Sequence, residues 1–235
     1  MIVSKPSIEV AEVPLSGGRT TPGVVHVGDT VRRPQTANST FVRRLLRHLA
    51  DKRFGASPAF LGIDEFGRDI LSFIEGDVPA DLACHDDGAL WTAASMIRRF
   101  HDIGAEMVPT LPHRRSGIET ICHNDLSPCN FVFRDGTPIA IIDFDAAAPG
   151  PRLLDLGYAA WLWLDLGCLE IPVPDQRRRL ANFVKAYGMY DVEAIFPAIL
   201  ERQAMLSAEG RRTGKSAMAD WADHCREWTQ SSLAP

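Results

Sequence analysis

The chain has 235 residues, 46% hydrophobic and 23% charged, with a formal net charge of -5. That length is enough to bury a core without staples, and the composition excludes a disordered chain or a coiled coil. The acidic balance argues against a nucleic-acid partner.

Five scattered cysteines without a Cys-x-x-Cys pair read as reduced thiols, neither a disulfide frame nor a zinc site. The most apolar stretch, Leu153 to Leu169, is broken by Asp155 and Asp165 and falls short of a membrane span. No signal-peptide pattern follows Met1. The expectation is a soluble, cytoplasmic protein with no membrane partner. No oligomeric state is specified.

In chain order, Ser16-Gly17-Gly18-Arg19 is a turn, and Val24 to Val27 and Thr30 to Arg33 are strands joined by Gly28-Asp29. Ser39 is placed to cap a helix whose apolar stripe runs through Leu45, Leu46 and Leu49. A second hairpin follows, with strands Phe60 to Ile63 and Ile70 to Ile74 around a turn at Asp64 to Gly67. Glu75-Gly76-Asp77-Val78-Pro79 breaks the pattern and serves as a hinge. Helices are then expected at Leu90 to Phe100, Leu154 to Leu164, Arg178 to Tyr187, Ala194 to Arg211 and Ala217 to Trp228. One hairpin interrupts them, Phe131 to Arg134 and Ile139 to Ile142 around Asp135-Gly136. The class is α+β in two lobes: an antiparallel sheet with one helix over 1–76, and a mostly helical lobe over 77–235.

With Asp135-Gly136 as a two-residue loop, Asn130 falls opposite Ile141, so Asn130 and Asp143 emerge at one end of the ribbon, just after Asp125. An amide oxygen and a carboxylate are hard ligands of the kind magnesium takes beside phosphates and water. Gathering Asp125, Asp143 and Asp145 would also be costly without a cation among them. The Asp125-to-Asn130 spacing equals that of the protein-kinase catalytic loop, and Asp143 falls where the kinase D-F-G aspartate stands.

On His123-Asn124-Asp125, Asn130 and Asp143-Phe144-Asp145, the chain resembles the aminoglycoside phosphotransferase and choline kinase superfamily, of protein-kinase-like fold. Asp145, where protein kinases have glycine, favours its small-molecule branch. The resemblance implies that Asp125 orients the acceptor hydroxyl as base, that Asn130 and Asp143 bind Mg2+ under ATP or GTP, and that His123 is structural. It also implies that Asp155 supports the loop from behind, and that the partners are a nucleotide and a small hydroxylated acceptor. Phe73, Ile74 and Glu75 would meet the purine as a hinge strand, and Gly17 and Gly18 would cover the phosphates.

The third-strand cation is Arg32, with Arg33 as the alternative register, and the helix acid expected to pair with it falls at Val42. That departure supports a rival reading, a low-turnover kinase-like binding protein acting as an immunity or regulatory factor. Gly214-Lys215-Ser216 lacks the first glycine of a phosphate loop, having Glu209 there. His101 and His113 read as helix-end and loop histidines, Trp161 and Trp163 as core, and the acids of the last two helices as a solvated face.

Overall fold

The computed structural model describes residues 11–15, 22–82, 84–112 and 116–233. Five strands form the first sheet: β1 (Val13–Pro14), β2 (Val25–Val27), β3 (Thr30–Arg33), β4 (Phe60–Ile63) and β5 (Asp69–Ser72). Their order is β1-β2-β3-β5-β4 and every pairing is antiparallel. Gly28 takes φ +57° in the β2–β3 turn, a backbone conformation that glycine adopts without cost. β5 stops at Ser72, two residues short of the expected strand, because β3 runs out of partners at Thr30.

Helix α1 (Ser39–Asp51) buries Val42, Leu45, Leu46 and Leu49, the expected stripe extended by one turn. Its cap is Asn38, not Ser39. The Ser39 hydroxyl instead accepts a bond from the Thr36 N–H (2.8 Å), while the Asn38 amide reaches out to the carbonyls of Asp145 (2.8 Å) and Ala147 (3.0 Å). The start of α1 is thereby fastened to the other lobe.

The second lobe holds α2 (Asp87–Ala105), α3 (Arg152–Trp163), α4 (Val173–Tyr187), α5 (Val192–Arg212) and α6 (Ser216–Ser232). Asp86 caps α2 by accepting from the Ala89 N–H at 2.7 Å. Trp161, Trp163, Phe131, Phe100 and Phe183 lie in the core, with the Trp163 ring edge-on to Phe131 at 4.8 Å. Gly214-Lys215-Ser216 is the turn between α5 and α6. Among the described residues no helix is long and apolar enough to cross a membrane, and all five cysteines are free thiols.

Two small ribbons cross this helical lobe. One was expected: β7 (Phe131–Arg134) and β8 (Thr137–Ile141), turning through Asp135 and Gly136, both at positive φ. A bulge between Val132 and Phe133 shifts its register by one, so Ile141 faces Phe131 and the Ile142 N–H reaches the Asn130 carbonyl at 2.9 Å. The other, β6 (Thr120–Cys122) with β9 (Ala148–Gly150), was not expected, since three-residue strands carry too little alternation to be read.

In the segment expected as a hinge, Asp77 exchanges two backbone hydrogen bonds with Phe133 of β7 (2.8 and 2.7 Å). Gly76 is required there: at φ +152° a Cβ would lie 2.3 Å from the Phe133 carbonyl oxygen.

Candidate active site

Strand β6 delivers the chain into the loop that begins at His123, and β9 leads into α3, which carries Asp155. Asp155 is fully buried behind that loop. It accepts from the N–H groups of His123 (2.7 Å) and Asn124 (2.8 Å) and from His101 Nε2–H (3.0 Å), while His101 Nδ1 faces the Tyr187 hydroxyl at 2.8 Å. Burial alone would raise its pKa. The His101 hydrogen bond and the positive character of His101 and His123 outweigh that, and the carboxyl lies below its ordinary value. His123 donates Nε2–H to the Ile142 carbonyl (2.9 Å) and packs on Phe144, tying the loop to the end of the β7–β8 ribbon.

With the loop held in this way, Asn124 turns through φ +67°, which asparagine tolerates, and its side chain donates to the Ala146 carbonyl (2.8 Å). Leu126 drops into the core and Asp125 is left partly exposed, one carboxylate oxygen accepting the Tyr158 hydroxyl at 3.0 Å. Burial and then the Asp125 charge push the Tyr158 phenol well above its ordinary pKa, so it stays a proton donor. The Asn130 side-chain N–H₂ is committed to the Asp125 carbonyl (2.8 Å), which leaves the amide oxygen as its outward group.

Asp143 sits at φ +62°, immediately before the short 3₁₀ turn Phe144–Ala146 that carries Asp145. Arg33, reaching down from β3, donates to Asp143 Oδ1 at 2.8 Å and also to Asp145. Arg32, the residue expected in this role, lies against Asp64 at 3.8 Å, because neighbours on a strand point to opposite faces. The cation of the cleft is thus Arg33. It also weakens the like-charge argument for a divalent ion, since the single charge of Arg33 offsets one of the two on Asp143 and Asp145.

Metal binding therefore rests on the donor set. Asn130 lies opposite Ile142, one residue before Asp143, so both can offer an oxygen at one end of the ribbon, and magnesium is commonly held by one or two protein oxygens together with phosphates and water. The residues fit that pattern, and among the described residues no group of three His, Cys, Asp or Glu forms a site contained in the protein alone.

Val42 stands where a helix acid was expected and lines a small cavity with Arg33, Asp69 and Asp143. One residue on, Arg43 of α1 donates to Asp69 of β5 at 2.7 Å, and Asp69 is the register partner of Arg33. The helix-to-sheet ion pair exists with its polarity reversed, the cation on the helix and the acid on the strand.

At the hinge, the Phe73 N–H is spent on the Asp29 carbonyl (2.9 Å) and the Glu75 carbonyl accepts from Arg134 (3.1 Å). Ile74 lies between them. Gly17 and Gly18, expected over the phosphates, and His113 lie outside the described residues.

His101 is the residue that sequence reasoning undervalued. It falls four positions after Ile97 on the buried stripe of α2, a signal that it faces the core and not the helix end. Tyr158 follows the same logic, three residues after Asp155 on one face of α3.

Comparison with known proteins bears on the fold of the chain. Residues 105–196 match the family model described as "APH: Phosphotransferase enzyme family". The trifolitoxin immunity protein of Rhizobium leguminosarum bv. trifolii is 35% identical over 159 residues, 62% of this chain and 59% of that protein, so the match spans less than two thirds of its length. Among solved structures, the gentamicin complex of APH(2")-IIa superposes with a TM-score of 0.61 at 14% identity, covering 93% of this chain and 92% of the other. The GDP complex of aminoglycoside 2'-phosphotransferase-IIIa does so with a TM-score of 0.59 at 16% identity, covering 97% and 95%. At such identities the structural matches establish the kinase-like fold, and the family model bears on the segment from the end of α2 to the start of α5.

Proposed function

We propose that this chain, matched to the phosphotransferase enzyme family over residues 105–196, transfers the γ-phosphoryl group of ATP or GTP to a hydroxyl of a small molecule in the cytoplasm. The reading is supported by the Asn130 amide bound to the Asp125 carbonyl, by Asn130 lying opposite Ile142, one residue before Asp143, and by Asp155 holding the loop from behind.

In this reading Asp125 orients the acceptor hydroxyl and takes its proton as the acceptor oxygen bonds to the γ-phosphorus. The bond from that phosphorus to the β–γ bridging oxygen breaks, and the nucleoside diphosphate leaves. Tyr158 holds one Asp125 oxygen, so the other is directed to the acceptor. Asn130 and Asp143 would hold magnesium, which supplies charge neutralisation on the β and γ phosphates. Arg33 adds a fixed positive charge from the first lobe, in place of Arg32. The purine would rest along Phe73, Ile74 and Glu75, where the backbone of Ile74 lies between two spent groups, and Gly17 and Gly18 would close over the phosphates. The boundary between lobes falls at residues 76 and 77.

A second reading is favoured by one observation, the 35% identity to an immunity protein: a nucleotide-binding scaffold that neutralises a toxin with little turnover. The two separate in a single experiment. Purified protein is incubated with magnesium and ATP or GTP against a panel of hydroxylated small molecules, and phosphorylated products are detected by mass. An increase of one phosphoryl group on an acceptor supports transfer; nucleotide binding without product on any acceptor supports the scaffold.

A further inference from the structure

Arg202 of α5 approaches the catalytic loop from the helical side, opposite to Arg33. It donates to the Asn124 carbonyl at 2.8 Å, and its guanidinium lies 4.3 Å from the centre of the Tyr158 ring, the same ring whose hydroxyl binds Asp125. Its Nε is buried and has no hydrogen-bond partner, and no carboxylate pairs with it among the described residues. A buried guanidinium nitrogen without an acceptor is costly, and stacking on one tyrosine offsets only part of that. Of the acids on the last two helices, Asp220 and Asp223 pair with Arg211 and Glu209 pairs with Arg212. The charged group set against Asn124 and the Tyr158 ring, the two neighbours of the Asp125 carboxylate, is thus a cation.

We propose that Arg202 forms an anion subsite beside Asp125, so that the acceptor is a small hydroxylated molecule bearing a carboxylate or phosphate and not a polycation. With Nη2 on the Asn124 carbonyl and Nε buried, Nη1 is the donor left to meet either oxyanion, which would set the distance from the anionic group to the hydroxyl that Asp125 orients. This inference rests on the phosphotransferase reading for its chemistry, but the anion subsite can be tested without turnover.

The full chain and its Arg202→Gln and Arg202→Lys variants are assayed with magnesium and ATP against glycerate, glycerol 3-phosphate, glycerol, choline and kanamycin. Circular dichroism checks that the variants fold. The expected result is that glycerate or glycerol 3-phosphate exceeds glycerol, choline and kanamycin in kcat/KM. Arg202→Gln should raise the KM for that anion about tenfold to a hundredfold, with the KM for ATP unchanged and Arg202→Lys recovering part of the loss.

Preference for choline or kanamycin, or an unchanged anion KM in Arg202→Gln, overturns the proposal. If no acceptor is phosphorylated, the phosphotransferase reading fails, and thermal shift with glycerate and glycerol 3-phosphate still decides the subsite. Stabilisation of the wild type that is lost in Arg202→Gln supports it, whichever anion is the better probe. Equal shifts in both proteins, or none in either, refute it.

Discussion

Asp155→Ala should be the most damaging single truncation away from the nucleotide. The carboxylate is fully buried and accepts three hydrogen bonds, from His101 Nε2 and the backbone N–H groups of His123 and Asn124. Removing it leaves the His123 and Asn124 N–H groups and His101 Nε2–H without an acceptor. Leaving a buried donor unsatisfied costs about 1–3 kcal/mol, so three of them cost about 3 kcal/mol or more, which for a protein of this length corresponds to a fall in Tm of roughly 6 °C or more. Asp155→Asn should fare little better, since its amide N–H₂ must face at least one of the three donors. Thermal unfolding by circular dichroism measures the loss, and the same samples assayed for transfer should show activity falling further than the folded fraction, because Asp125 follows Asn124 directly. A stability loss under about 1 kcal/mol would refute the claim that Asp155 holds the loop.

Other consequences can be checked in the same way. Because the Asp155 carboxyl lies below its ordinary pKa, the stability it contributes is present above the ordinary aspartate range, near pH 4, and is lost as pH falls below it. Urea titrations from pH 7 to 3 should show that decline in the wild type, and less of it in Asp155→Asn. Arg43→Ala leaves Asp69, buried on β5, without its helix partner and should cost about 3 kcal/mol or more; the exchange Arg43→Asp with Asp69→Arg should recover part of that loss in a double-mutant cycle, whereas strict additivity would show that the two do not interact. Gly76→Ala places a Cβ 2.3 Å from the Phe133 carbonyl oxygen and 2.6 Å from Val132 Cγ1. Displacement of the hinge should lower stability by about 1–3 kcal/mol and weaken nucleotide binding by calorimetry, and unchanged affinity would mean that the hinge does not shape the nucleotide site.

The elements most legible in the sequence were those with a strong local signal. Asp135-Gly136 between two β-rich runs predicts the hairpin that brings Asn130 and Asp143 to one end, and the Leu45, Leu46, Leu49 stripe predicts α1. What escaped was set by tertiary contacts. The bulge near Phe133 moved Asn130 from Ile141 to Ile142, a shift no turn rule carries. The choice between Arg32 and Arg33 depends on which sheet face meets the second lobe, and a strand four residues long does not declare it. Asn38 left its role as a side-chain cap for the carbonyls of Asp145 and Ala147, a partner more than a hundred residues away. The reversed ion pair was hidden for a different reason: a search for one acid on the helix cannot see that the acid has moved to the strand.

The account turns on Asp125 as the group that makes transfer, and not nucleotide binding, possible. The most direct test measures both quantities on wild type and Asp125→Asn in parallel, nucleotide affinity by calorimetry with magnesium and phosphorylated acceptor by mass. The account predicts nucleotide affinity within about threefold of wild type and product formation reduced by about a hundredfold or more. Asp125→Asn that phosphorylates the acceptor as fast as wild type would contradict it.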